Sequence, residues 1–238
     1  MEAIKMKITD YWAQRVESFS ALRSREFAGE KGHLWSEELD RYLPADRVLT
    51  ILDVGTGTGF LAFLLAAKGH RVTGIDLTPE MIASAKQMAL GLQLPADFFV
   101  MDAERPDFPA GSFDAIVSRN LTWTLPHLEQ TYIRWHTLLK PGGILINFDA
   151  DYCREKKPEA LPRCHAHEAV SQELMLEYEH MKAYLLPTQQ PRPQWDVRLL
   201  EKAGFHAIEV DTGVWQRIYH SVDEFFNPTP IFTISAIA

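Results

Sequence analysis

The sequence predicts an α/β fold, a doubly wound and mostly parallel sheet with helices on both faces. Short apolar segments alternate along the chain with helical segments, which is typical of parallel sheets. The apolar segments are hydrophobic at consecutive positions, as in strands buried on both faces. The 238 residues are 46% hydrophobic and 11% aromatic, which is enough for one substantial core.

The first predicted strand, 51–54, runs directly into glycines at every second position, Gly55, Gly57 and Gly59. Glycine lets the backbone turn and approach a ligand where a Cβ would clash. An apolar helix begins at Phe60 and should end before Gly69. The pattern predicts a nucleoside-binding turn, with a purely structural loop as the alternative. The dinucleotide fingerprint would need glycine at Phe60, so a pyrophosphate site is not indicated.

The second predicted strand, Arg71–Asp76, ends in a carboxylate about 20 residues beyond the first glycine, where a ribose diol can be bound. An isolated aspartate after a strand can also be a turn or cap residue. Thr78 and Pro79 are typical of a helix N-cap and first turn, and they open a helix that carries Met81.

Two further strands end in polar residues. The strand 97–101 is followed by Asp102, Ala103 and Glu104, with a solvated loop acid as the alternative for Asp102. The strand that begins at Phe113 ends in polar residues up to Asn120, at the edge where ligands bind in open α/β folds. A helix from Leu128 and the sequence LLKPGG precede a fifth strand, 144–148, which is followed by Asp149 and Asp151.

These motifs, in this order from Val48 to Asp149, resemble those of the class I (Rossmann-like) S-adenosylmethionine-dependent methyltransferases of small-molecule type. The resemblance implies a seven-stranded sheet whose last strand, 231–237, is antiparallel. It also implies an N-terminal helical cap and an insertion after the fifth strand.

The resemblance further implies S-adenosyl-L-methionine as the methyl donor and S-adenosyl-L-homocysteine as the product. Asp76 would accept hydrogen bonds from the ribose, and Asp102 from the adenine amino group. The residues expected to contact the donor are Tyr11, Phe19, Asp53, Gly55, Thr56, Gly57, Gly59, Asp76, Leu77, Thr78, Met81, Asp102, Ala103, Glu104, Arg119 and Asn120. For Tyr11 and Phe19, ordinary core packing is an equal alternative. Arg23 or Arg25 could pair with the donor's carboxylate, or equally with a surface acid.

We predict a single domain over 1–238. It comprises the cap 1–45, the donor-binding core 46–150, a substrate-cap insertion 151–194 and the C-terminal part of the sheet 195–238. The insertion should be helical over 168–185, and Trp123, Tyr152 and Tyr178 are expected to contact the substrate.

Net charge, hydropathy and the cysteine and histidine residues indicate which classes of binding partner to expect. A net charge of −8 without a basic patch argues against nucleic acid. The absence of a signal-peptide core and of a long apolar run predicts a cytoplasmic protein without membrane contact, as a monomer or homodimer. Cys153, Cys164, His165 and His167 fit no established zinc pattern, so no metal is predicted.

The predicted activity is in-line methyl transfer to a small-molecule acceptor. The sulfonium methyl is already activated, so the pocket mainly has to orient the acceptor. Asp149, Asp151 and His127 are candidate general bases, as are His165 and His167 in the insertion. The alternatives are a methyltransferase acting on tRNA or protein, a non-catalytic protein that binds S-adenosylmethionine, and an NAD-dependent oxidoreductase.

Overall fold

The structure, a computed structural model, describes residues 2–154, 170–186 and 189–238. Within these residues the helices are α1 Glu2–Ala28, α2 Glu30–Asp40, α3 Phe60–Ala67, α4 Pro79–Leu92, α5 Leu128–Leu138, α6 Gln172–Leu185, α7 Gln194–Ala203 and α8 Val214–Ile218. The strands are β1 Thr50–Val54, β2 Arg71–Asp76, β3 Ala96–Val100, β4 Phe113–Arg119, β5 Leu139–Asp149, β6 His206–Asp211 and β7 Phe232–Ile237.

The seven strands form one sheet in the order β3-β2-β1-β4-β5-β7-β6. Strands β1 to β5 are parallel, and β7 runs antiparallel between β5 and β6. The prediction of a mostly parallel sheet with an antiparallel last strand is therefore confirmed. Strand β1 lies between β2 and β4, so the chain departs from it in opposite directions and leaves a crevice at the carboxyl edge of the sheet.

Alternate residues of the central strands supply two cores. Ile51 packs with residues of α2, α3 and α4 on one face, and Leu52 packs with residues of α5 and α7 on the other. Because both side chains are fully buried, β1 is apolar at consecutive positions, as the sequence indicated.

Helix α1 is the main element of the N-terminal cap, and it lies across the carboxyl edge. Near its beginning, Lys5 Nζ lies 2.6 Å from Asp102 Oδ2, beyond the end of β3. Further along, Ser20 Oγ lies 2.7 Å from Ser84 Oγ on α4. The helix therefore forms one wall of the crevice.

Several boundaries differ from the sequence prediction. Strand β5 begins at Leu139, because that residue pairs with Phe113 before a register shift, and LLKPGG is thus largely strand. Helix α6 begins at Gln172, where the Ser171 side chain accepts a hydrogen bond from Leu174 N, and not at Glu168, which lies outside the described residues. Helix α8 and a 3-10 turn at 122–124 were not predicted. In the ranges that the structure describes, no helix is both long and apolar enough to cross a membrane.

Candidate functional site

A cavity lies at the crevice between the strand ends and helix α1. Its wall brings together most of the predicted site residues, from segments far apart in the sequence. These are Phe19, Asp53, Gly55, Thr56, Gly57, Asp76, Leu77, Thr78, Met81, Asp102, Ala103, Arg119, Asn120, Trp123, Tyr152 and Tyr178.

The glycine turn and the Asp76 carboxylate meet directly in this wall. Gly57 N donates to Asp76 Oδ2 at 3.0 Å, and Thr78 N donates to Asp76 Oδ1 at 2.9 Å. Burial raises the pKa of the Asp76 carboxyl, while these backbone donors oppose that effect. The carboxylate is thus held in one orientation at the edge of the cavity.

The three glycines of the turn have different roles. A Cβ on Gly57 would meet only Phe19, at 3.5 Å, which is ordinary contact. A Cβ on Gly55 would lie 2.7 Å from Leu121, and one on Gly59 would lie 2.5 Å from Phe63. At Gly55 and Gly59 a Cβ would therefore meet side chains of the protein itself, whereas at Gly57 it would extend toward Phe19 alone.

Asp53 lies beneath the glycine turn and is buried. Its Oδ2 accepts hydrogen bonds from Thr56 Oγ1 at 2.6 Å and from Ala62 N at 3.1 Å. Burial raises the pKa of this carboxyl to about 7, although both donors act to lower it. The carboxyl group braces the turn against the first turn of α3.

Lys5 forms ion pairs with the carboxylates of both Asp102 and Glu104. Asp102 Oδ1 accepts from Glu104 N at 2.9 Å, and Trp135 Nε1 donates to Ala103 O at 2.9 Å. The loop after β3 is therefore fixed from both sides, with Asp102 and Ala103 facing the cavity.

A buried ion cluster joins helix α1 to strand β4. Arg119 donates to Glu26 Oε1 at 2.9 Å, and Arg23 pairs with the same carboxylate. Burial acts to raise the Glu26 pKa, but the two guanidinium groups hold it below its usual value. Arg119 also donates to the Tyr219 hydroxyl at 3.1 Å. The cluster anchors the cap to the sheet.

The side of the cavity near the insertion is aromatic. The Trp123 ring lies 5.3 Å from the Tyr152 ring and 5.5 Å from the Tyr178 ring, between centroids. The Tyr152 hydroxyl donates to Asn120 Oδ1 at 3.0 Å and accepts from Asn227 Nδ2 at 2.9 Å. Flat apolar faces with a few fixed polar atoms are typical of small-molecule pockets.

Three residues expected at the donor do not line the cavity. Tyr11 is buried against Trp12 and Tyr178. Its position therefore corresponds to core packing, which was the alternative to a contact with the donor. Gly59 faces Phe63, and Glu104 is buried, where it accepts from the His127 backbone amide at 2.7 Å.

Of the five candidate general bases, Asp149, Asp151 and His127 also lie outside the cavity wall, and His165 and His167 lie outside the described residues. Asp149 is fully buried, where it accepts from Trp123 N at 3.0 Å and pairs with Arg192 at 3.2 Å. Asp151 accepts from the Arg192 backbone amide at 3.2 Å. His127 is exposed at the start of α5. Several carboxylates lie at the carboxyl edge of the sheet, because parallel strands end there, but only some of them face the crevice.

Arg23 lines the cavity, whereas Arg25 is exposed and pairs with Glu224, so Arg25 is not at the site. Of the residues considered as metal ligands, 164–167 lie outside the described residues. Burial raises the pKa of the Cys153 thiol to about 11. In the ranges that the structure covers, no three His, Cys, Asp or Glu side chains form a group able to hold a metal.

Sequence reasoning missed several residues of the cavity wall. On helix α1 they share one face with Phe19 and Arg23, namely Lys5, Ile8, Trp12, Arg15 and Leu22. Steps of three and four residues along the sequence could have identified this face. Tyr219, Phe225 and Asn227, which follow α8, also line the cavity, and no local motif marks them.

A family model described as a methyltransferase domain matches residues 51–143. The chain is 41% identical over 112 residues to phosphoethanolamine N-methyltransferase 1 of Arabidopsis thaliana, covering 45% of this chain and 22% of that protein. It is 36% identical over 98 residues to the ubiquinone biosynthesis O-methyltransferase of Paramagnetospirillum magneticum, covering 41% of this chain and 39% of that protein. The chain thus spans well under half the length of these curated relatives.

The fold is shared with solved structures. One is phosphoethanolamine N-methyltransferase 2 of Haemonchus contortus in complex with S-adenosyl-L-methionine, with a TM-score of 0.61 at 20% identity. The similarity covers 85% of this chain and 52% of that one. The predicted Rossmann-like methyltransferase fold is confirmed.

Proposed function

We propose that this protein transfers a methyl group from S-adenosyl-L-methionine to a small molecule, because residues 51–143 match a methyltransferase-domain model and the fold is Rossmann-like. S-adenosyl-L-homocysteine is then the second product. The observation that carries the proposal is the junction of the Gly57 amide with the Asp76 carboxylate, at 3.0 Å, in the wall of a cavity that is aromatic on its other side.

The residues in the wall fit an adenosyl group. The oxygens of Asp76 accept from the backbone amides of Gly57 and Thr78, and the carboxylate, held in this orientation at the edge of the cavity, would accept hydrogen bonds from the ribose hydroxyl groups. Asp102 and Ala103 lie at the neighbouring strand end and would meet the adenine. Gly57 leaves the space that a Cβ would fill next to Phe19. Arg23, at the glycine turn, would face the carboxylate of the donor.

The chain's own residues act mainly by orientation. The bound donor supplies an activated methyl group, and the aromatic wall aligns the acceptor and excludes water, which can contribute about 7–11 kcal/mol. A general base would add roughly 10²–10⁴ in rate and matters only for an acceptor that carries a proton. Because Asp149, Asp151 and His127 lie outside the cavity wall, none of them would act as the general base.

Two observations support a small acceptor. The relatives described above are named for phosphoethanolamine and for ubiquinone biosynthesis. The chain carries a net charge of −8, which counts against a tRNA acceptor. A protein acceptor and a non-catalytic role are less favoured. A cytoplasmic location and a monomeric or homodimeric state stay predictions from the sequence.

Calorimetry with S-adenosyl-L-homocysteine tests the donor site. We expect binding by the wild type and a loss of about 1–3 kcal/mol of binding free energy in Asp76→Ala, because a charge-assisted contact to the ribose is removed. Asp97→Ala, an exposed change on β3, should bind as the wild type does. No binding at millimolar ligand would overturn the proposal.

Turnover is measured separately, with a methyl-labelled donor and a panel of small amines, phenols and carboxylic acids. Donor binding without transfer to any member of the panel would favour the non-catalytic alternative.

A further inference from the structure

One cationic side chain in the cavity wall has no counter-ion within residues 2–154, 170–186 and 189–238. Arg15, on α1, is only 4% exposed and lines the cavity. Its NH1 donates to the Tyr11 hydroxyl at 3.1 Å, and its Nε–H has no hydrogen-bond partner among the described residues. A guanidinium stays protonated in proteins, so a full positive charge is buried here.

The other buried arginines differ from Arg15 in this respect. Arg23 and Arg119 both pair with Glu26, and Arg192 pairs with Asp149 and Asp196. The carboxylate of Glu177, on the nearby helix α6, accepts from Gln14 Nε2 at 3.3 Å and forms no ion pair with Arg15. Buried charges are normally paired, so an unpaired one in a cavity wall indicates that a ligand supplies the anion.

The position of Arg15 separates it from the donor's carboxylate. Arg23 lies 4.7 Å over the ring of Phe19, beside the glycine turn, and is eight residues further along α1. Eight residues correspond to about 12 Å along a helix. Arg15 therefore lies two turns away from the guanidinium that faces the donor.

Ring contacts connect Arg15 to the aromatic side of the cavity. Its partner Tyr11 lies 5.8 Å from the Tyr178 ring, and Tyr178 lies 5.5 Å from Trp123. Tyr178 and Trp123 line the wall where the acceptor would sit. Arg15 is thus placed at the end of the acceptor pocket.

We propose that the methyl acceptor of this protein carries an oxyanion, a carboxylate or a phosphate, which the guanidinium of Arg15 binds. This inference rests on the proposed methyltransferase function. The aromatic wall contacts the apolar body of the acceptor, and Arg15 fixes its charged end, so that charge and shape together orient the nucleophilic atom. Arg15 is a specificity-determining residue in this view, because a neutral analogue would leave its charge buried and unpaired.

The experiment is calorimetry on protein saturated with S-adenosyl-L-homocysteine. The probes are phenyl phosphate, phenylacetate and the neutral phenethyl alcohol, which share an aromatic body and differ in charge. We expect at least one anionic probe to bind about tenfold or more tightly than the neutral one. Tighter binding of phenyl phosphate assigns a phosphate, and tighter binding of phenylacetate assigns a carboxylate.

The variants locate the effect. Arg15→Met should remove the preference for the anion and leave the affinity for S-adenosyl-L-homocysteine within about twofold. Arg15→Lys should keep part of the preference, because the charge is retained. Arg25→Met is the matched control on the same helix, since Arg25 is exposed and should have no effect.

The outcomes are distinguishable. If S-adenosyl-L-homocysteine does not bind the wild type, the proposed function itself fails. If it binds, but both anionic probes bind no better than phenethyl alcohol, the assignment of Arg15 is overturned. The wild-type comparison decides this even if Arg15→Met does not fold. Retention of the preference in a folded Arg15→Met would also overturn it.

Discussion

The two sides of the cavity are built in different ways. The side with Gly57, Asp76 and Asp102 lies at the ends of neighbouring strands, and backbone amides hold its carboxylates. The side with Arg15 and Tyr178 is made of side chains from helices α1 and α6, with rings from other segments. After the proposed function, we call these the donor side and the acceptor side.

This difference indicates which side of the cavity can change its substrate specificity. Backbone amides at strand ends depend little on side-chain identity, so the donor side is preserved as long as the sheet and the turn are preserved. Side chains on helices can be replaced without altering the sheet. The acceptor side can therefore adopt a new substrate while the donor side stays the same.

The largest expected effect is at the buried ion cluster that joins helix α1 to strand β4. Glu26→Gln leaves two buried guanidinium groups without their carboxylate, so we expect a loss of about 3–5 kcal/mol in the free energy of unfolding. Denaturant titration measures it. Glu224→Gln, at an exposed ion pair, is the control and should change stability little. Equal stability of the two variants would show that α1 is not anchored through Glu26.

A smaller effect separates the glycines of the donor side. Both Gly57 and Gly59 have positive φ, so alanine is strained at each, but only at Gly59 does the Cβ collide with Phe63. We expect Gly59→Ala to lower stability by about 1–3 kcal/mol more than Gly57→Ala. Gly57→Ala should instead mainly weaken the binding of S-adenosyl-L-homocysteine. The reverse pattern in thermal unfolding and calorimetry would contradict these roles.

A third expected effect is a pH dependence of stability at Asp53, measured as a slope against pH. Its pKa is about 7 in the folded protein and near 4 in an unfolded chain, so between these values only the folded state holds the proton. The contribution of Asp53 to stability is therefore greatest below about pH 4 and falls as the pH rises toward 7, by up to about 1.4 kcal/mol per pH unit.

Denaturant titrations of the wild type and of Asp53→Asn at several pH values measure this slope. Asn keeps an oxygen that can accept from Thr56 and Ala62 but does not titrate. A difference between the two proteins that stays constant across this range would refute the Asp53 assignment.

Much of the donor side was predictable from sequence. Apolar strands that end in glycine or acidic residues specify local backbone geometry, and parallel strands bring their carboxyl ends to one edge, so Asp76 and Asp102 could be assigned from their positions. Helix α1 shows a limit of this reasoning, because Tyr11 was expected at the cavity and its neighbour Trp12 lines it instead. Side chains of consecutive residues in a helix point about 100° apart, and the sequence alone did not determine which face of α1 packs against the sheet.

The sequence by itself determined the alternation of strands and helices from β1 to β5, the turn at Gly57 and the acid that meets it, because these depend on local apolar patterns and on the pairing of two consecutive parallel strands. Tertiary structure alone decided that Asp149 is enclosed by Arg192, that Asn227 meets Tyr152, and that Arg15 lines the cavity without a carboxylate partner among the described residues. Those facts depend on long-range packing and on which charges find partners, and no local pattern encodes them.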